Sequence, residues 1–125
     1  MRVFLVDAAA ILLFAALGRR NHGEGTALIG VLVVAAPFLA GWTAAWFITG
    51  LHRTPASARR ALVALAVALP IALVLRAATG RGDAPEFVVV AIVFLGLVLV
   101  GRRFLAGTIS RRRSVRRAVA AEPRR

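Results

Sequence analysis

Four apolar runs divide this chain, and they leave few folds open to it. The runs are Val3–Gly18, Thr26–Thr49, Ala61–Leu75 and Phe87–Val100, and Asp7 is the one charged residue inside any of them. Each reaches or approaches the roughly 20 residues that a helix needs to cross a hydrocarbon core about 30 Å thick. The apolar residues come in continuous blocks, without the alternation of a half-buried strand or the heptads of a soluble coiled coil. A hydrophobic share of 60% and a mean hydropathy of +0.82 exceed the roughly 45–50% apolar content of soluble domains. The predicted fold class is therefore all-α: a polytopic membrane protein with four transmembrane helices in a bundle of two hairpins. The helices are expected at about residues 3–18, 26–49, 60–76 and 86–101. A basic tail follows over 104–125, partly an amphipathic helix and disordered at its end.

Composition narrows the function classes. A length of 125 residues supports one domain and leaves no room for a separate soluble catalytic domain. Cysteine is absent, which removes disulfides, thiol chemistry and thiolate metal sites. Every Lys/Arg position is arginine and alanine is abundant, a bias of GC-rich, bacterial coding. The first run resembles a signal peptide, but Asp7 within it and Arg19-Arg20 directly after it favour a retained helix.

The net charge of +12 would suit nucleic acid, yet its distribution has a simpler cause. The start of the chain, the loop Gly50–Arg60 and the tail hold thirteen arginines, whereas the other two loops hold four. By the positive-inside rule this places both termini in the cytoplasm of a multi-pass protein of the cell membrane. No nucleic-acid partner is needed to explain the charge.

Local signals set the helix ends. Gly18 suits a helix C-terminus, and Thr26 and Ser57 are candidate N-caps. Pro37 and Pro70 fall mid-span and should bend their helices. Trp46 suits an interfacial aromatic belt. Ala36, Ala40 and Ala44, and likewise Ala64, Ala68 and Ala72, recur at the four-residue spacing of close-packed membrane helices. Segments 15–24 and 77–86 echo one another as Ala-Ala-x-Gly-Arg with a final Glu, which would relate the two hairpins as a parallel repeat.

Asp7 is the candidate polar membrane site. A charge at mid-bilayer costs about 2.5–3.5 kcal/mol on insertion scales, so such residues face the bundle interior or water. Asp7 can serve as an ion site or proton relay, or it can pair with Arg59, Arg60, Arg102 or Arg103. A second candidate is the outer polar cluster of Arg19, Arg20, His22, Glu24, Arg76, Arg81 and Glu86, with Asp83 beside it. It reads either as an anion vestibule, where His22 titrates near neutral pH, or as loop pinning by arginine–carboxylate pairs. His22 and His52 fall on opposite faces, so neither a metal site nor a cofactor is expected. The parts of an enzyme are missing: no nucleophile with its base, no paired intramembrane carboxylates and no phosphate-cradling glycine motif. The lipid-facing basic tail is read as Arg102, Arg103, Arg111, Arg112, Arg113, Arg116 and Arg117. With Leu105, Ile109, Val115 and Val119 interleaved, it suits a surface-lying extension on anionic lipid at the cytoplasmic face.

Several segments together resemble a bacterial family known as domain of unknown function 3054, common in actinobacteria. They are Asp7 leading an apolar helix into Phe14, then Gly18-Arg19-Arg20-Asn21-His22-Gly23-Glu24, Pro37-Phe38-Leu39-Ala40-Gly41-Trp42, Arg76, and Gly80-Arg81-Gly82-Asp83-Ala84-Pro85-Glu86-Phe87. The resemblance covers roughly residues 5 to 103 and leaves the basic tail outside. It implies architecture and membrane location and carries no activity. Two functional classes follow from the residues: a small oligomeric transporter or channel-like protein, and a structural or accessory subunit that works through a homo-oligomer or a membrane protein partner.

Overall fold

The computed structural model describes residues 1–21, 23, 27–80 and 85–122. Four helical segments pack side by side: α1 (Arg2–Asn21), α2 (Leu28–Ile48), α3 (Ala58–Ala78) and α4 (Pro85–Leu95). A π-helical segment, Gly96–Gly101, joins α4 to α5 (Arg102–Ala120) without a break. A single 3₁₀ turn, Leu51–Arg53, lies between α2 and α3. No strand occurs among the described residues.

Three helices are long and apolar enough to cross a membrane: α2 and α3, with mean hydropathies of 2.0 and 2.4, and the continuous 36-residue helix Pro85–Ala120, at 2.4 in its apolar part. In α1, Asp7, Arg19 and Arg20 interrupt the apolar run, and the helix completes the bundle by packing on α2 and α4. The outward faces are apolar: Leu13, Ile29, Val33, Leu62, Val74, Val90 and Leu97 are exposed. Such a surface is a liability in water and the normal condition in lipid.

The ends of the helices depart from expectation in physically simple ways. Helix α1 runs past Gly18 to Asn21, because Arg19 and Arg20 in its last turn favour the negative end of the helix dipole. Ala27, and not Thr26, holds the N-cap position of α2, and no side chain caps it. Ser57 caps α3 as expected, its Oγ accepting from the Arg60 amide at 3.2 Å. After α2 the chain turns at Gly50, whose φ of +70° is the left-handed conformation that glycine adopts without strain. Pro37 and Pro70 sit inside continuous helices.

Helices α2 and α3 form the most extensive contact of the bundle. Of the two alanine stripes, the one on α3 is buried at Ala64, Ala68 and Ala72. The one on α2 is not: Ala36 and Ala40 face outward, and the packed face is Val31, Ala35, Phe38, Gly41, Trp42, Ala45 and Trp46. Gly41 marks the closest approach, since a Cβ built there would stand 2.6 Å from the Ala68 carbonyl oxygen and 3.2 Å from the Ala72 nitrogen. Four-residue spacing alone does not say which face turns inward. The large aromatic side chains of Phe38 and Trp42 decide it, and Trp46 joins them in the core at 6% exposed instead of standing in an interfacial belt.

The last span does not end at the membrane boundary inferred from its arginines. It continues as α5, which beyond Arg103 is exposed on all sides. At 1.5 Å per residue the whole helix is about 54 Å long, well beyond a bilayer core. Residues 123–125, expected to be disordered, lie outside the described residues, as do residues 81–84 in the internal echo's second half.

The Gly41 contact gives a direct test. Gly41→Ala should lower the thermal midpoint of the detergent-purified protein, at a cost of about 1–3 kcal/mol from overpacking. Ala40→Val, one residue away on the outward face, should leave it unchanged.

Candidate functional site

Asp7 lies on the inward stripe of α1 with Ala10, Ile11, Phe14 and Ala15, residues three, four, seven and eight positions on. It is fully buried. Opposite it stands Arg103, 3% exposed. Arg103 Nη2 donates to Asp7 Oδ2 at 2.6 Å and Nη1 to Oδ1 at 3.1 Å, the paired geometry in which a planar guanidinium matches a carboxylate. Arg102 adds a third bond, from Nη2 to Oδ1.

Arg103 is satisfied on every side. Its Nε donates to the Pro55 carbonyl at 2.7 Å and its Nη1 also donates to the Leu99 carbonyl. The guanidinium carbon lies 5.9 Å from the ring centroids of both Trp42 and Trp46, within the range of cation–π attraction. Trp46 is held in turn by an edge-on contact with Phe4, centroids 5.3 Å apart. One side chain thus ties α1, α2, the loop before α3 and its own helix at a single end of the bundle.

The π segment sets this register. The buried positions of the last span are Ala91, Leu95, Leu99 and Arg103, each four residues after the one before. In a regular α-helix such a stripe drifts around the axis, because four residues exceed one 3.6-residue turn. A π turn, bonded i to i+5, holds more residues per turn and keeps Leu95, Leu99 and Arg103 facing the core. Without it Arg103 would rotate away from Asp7.

Of the four arginines within sequence reach of Asp7, the structure selects Arg102 and Arg103. Arg59 is exposed, and Arg60 Nη1 donates to the Gly50 carbonyl at 3.0 Å. Arg103 therefore leaves the group of lipid-facing tail residues in which charge alone had placed it, since it is inside the protein, while Arg102 stays 30% exposed along its side chain. Arg111, Arg112, Arg113, Arg116 and Arg117 are all exposed on α5.

At the opposite end, Arg76 is buried and its guanidinium carbon sits 4.2 Å from the Phe87 ring centroid. Phe87 belongs to an aromatic group in which Phe14 contacts Phe38, Phe87 and Phe94 at 5.5, 5.8 and 5.6 Å. The Arg19 guanidinium lies against Gly30, in the space that a Cβ there would need. Arg20 and Glu86 are exposed. His22, Glu24, Arg81 and Asp83 lie outside the described residues. Between the two ends an apolar cavity of about 10 Å³ is lined by Ile11, Phe38, Trp42, Leu65, Leu95 and Leu99 among others. That is room for about one water, and the buried Trp42 Nε1 has no partner.

Sequence reasoning missed the carbonyls of Pro55 and Leu99 and the two tryptophans as partners of Arg103. The stripe Ala91–Leu95–Leu99 extended by one step was the available signal, but the π turn that keeps it straight has no sequence signature here.

The profile of a family described as protein of unknown function (DUF3054) matches residues 4–106. This chain belongs to that family. No curated protein and no solved structure matches it.

The network predicts an asymmetric mutational pattern. Arg103→Gln should cost about 3–5 kcal/mol, the usual penalty for stranding one partner of a buried ion pair. The double variant Asp7→Asn/Arg103→Gln should recover part of that loss. Thermal midpoints of the two single variants and the double variant in detergent give the coupling; additive losses would refute a direct pair.

Proposed function

We propose that this member of the family is a structural or accessory subunit of a cell-membrane complex, without enzymatic activity of its own. The observation that carries the reading is the state of Asp7. Its carboxylate is enclosed and both of its oxygens are bonded by two guanidinium groups, so neither oxygen is left open to a passing cation or proton. The intramembrane charge is used to hold helices together. What the bundle offers outward is α5, an exposed arginine-rich helix continuous with a membrane-spanning one.

In this reading both termini face the cytoplasm, the side that the arginine distribution favours, and α5 docks its basic surface on anionic lipid or on an acidic face of a partner subunit. Each arginine near an anionic surface contributes about 1 kcal/mol. A transporter is the competing class. The cavity described within the bundle, apolar and about 10 Å³, offers no polar lining to a solute.

Two measurements test this. A fluorescent protein fused after Arg125 should fluoresce in cells, while a phosphatase reporter active only outside the cytoplasm should be silent there. Mild-detergent purification from native membranes should recover a second protein in fixed ratio, and the ratio should fall when Arg111, Arg112, Arg113, Arg116 and Arg117 are replaced by Gln. A closed homo-oligomer that conducts ions in liposomes, and loses conduction with Asp7→Asn, would establish the transporter instead.

A further inference from the structure

Three charges share one buried network, and they do not cancel. Arg102 and Arg103 bring two positive charges to the single negative charge of Asp7. Among the described residues no second carboxylate joins them, and Glu86 opens α4 at the far end of the bundle. Surplus charge in a low-dielectric site is costly unless a counter-charge meets it.

The surplus falls on Arg102. Arg103 spends its donors on Asp7, Pro55 and Leu99. Both bonds of Arg102 leave through Nη2, one to Asp7 and one to the Val3 carbonyl at 3.4 Å. Its Nε is enclosed without a hydrogen-bond partner, while the side chain as a whole is 30% exposed. Its Nη1 makes no hydrogen bond within the chain and is not enclosed, so the open side of the guanidinium is free to take an acceptor from outside the chain. Arg102 opens at the bundle end that also carries the exposed Arg2, Arg53, Arg59 and Arg60, the level at which a bilayer presents its phosphates.

We propose that Arg102 binds a phosphate anion that completes the Asp7 network. Guanidinium and phosphate match as planar donors to tetrahedral acceptors, and the phosphate's negative charge brings the sum to zero. An anionic phospholipid headgroup and free phosphate offer the same chemistry, and the test separates them. The site is distinct from the docking face of α5 and stands whether the protein is an accessory subunit or a transporter; it rests on the membrane placement of the bundle.

The test uses the full chain, stripped of lipid in an uncharged detergent, with its thermal midpoint followed during titration with phosphatidylglycerol or with inorganic phosphate. Wild type should be stabilised by phosphatidylglycerol. Arg102→Gln, which keeps the Arg103–Asp7 pair, should bind the lipid about fivefold more weakly, the loss of about 1 kcal/mol expected for one arginine at the surface. The variant Arg111→Gln/Arg112→Gln/Arg113→Gln should respond as wild type does. An Arg102-dependent shift with inorganic phosphate alone would assign the site to a free anion. A wild-type response from Arg102→Gln, or a response abolished by the tail variant alone, would overturn the proposal. Should Arg102→Gln not fold, Arg102→Lys keeps the charge without the planar fork, and an undiminished response from it would overturn the proposal equally.

Discussion

The bundle depends on one buried ion pair, Arg103 with Asp7. Lipid supplies no hydrophobic drive between helices, because its tails are as apolar as the side chains they would release. Association must come from close packing and from polar groups with no other partner. Asp7 in α1 and Arg103 after α4 are at opposite ends of the sequence, so their bond fixes the first helix against the last. The Pro55 carbonyl brings in the connection between α2 and α3 through the same guanidinium. Trp42 and Trp46 roof it with ring faces. Every spanning segment is thereby positioned at one end by a single side chain.

The rest of the bundle conforms to that anchor. The π segment keeps Leu95, Leu99 and Arg103 in line, at the cost of weaker helical bonding over six residues. The Leu99 carbonyl receives an Arg103 side-chain donor as well, so backbone disturbed by the π turn is satisfied within the same network. On the other side of the core, Gly41 lets α2 and α3 approach to backbone contact, and the aromatic group around Phe14 fills the space that the small residues leave open. The threonine hydroxyls of α2 and its C-cap bond to their own helix, Thr43 to the Leu39 carbonyl and Thr49 to the Ala45 carbonyl, both at 2.7 Å, because lipid offers no partner.

The basic helix α5 is a consequence of the same arrangement. Arg102 and Arg103 are drawn into the network at its first turn, and the helix runs on through Gly107 to Ala120. It leaves the bundle as a rigid continuation, with Phe104, Leu105 and Ile109 still exposed near its base and its remaining arginines further out.

The apolar runs settled, without any coordinates, that this chain is helical, that its solvent is lipid and that Asp7 is the exceptional group within the spans. Those conclusions depend on local composition and on lengths of about 20 residues, which a one-dimensional reading captures. Which arginines neutralise Asp7, which face of α2 turns inward and where the last helix stops were decided by tertiary structure. The first two depend on rotation about a helix axis: a single π turn, or the difference between a stripe starting at Ala35 and one starting at Ala36, redirects a side chain from lipid to core. Such rotations are set by the fit of neighbouring helices, which the order of residues along one helix does not contain.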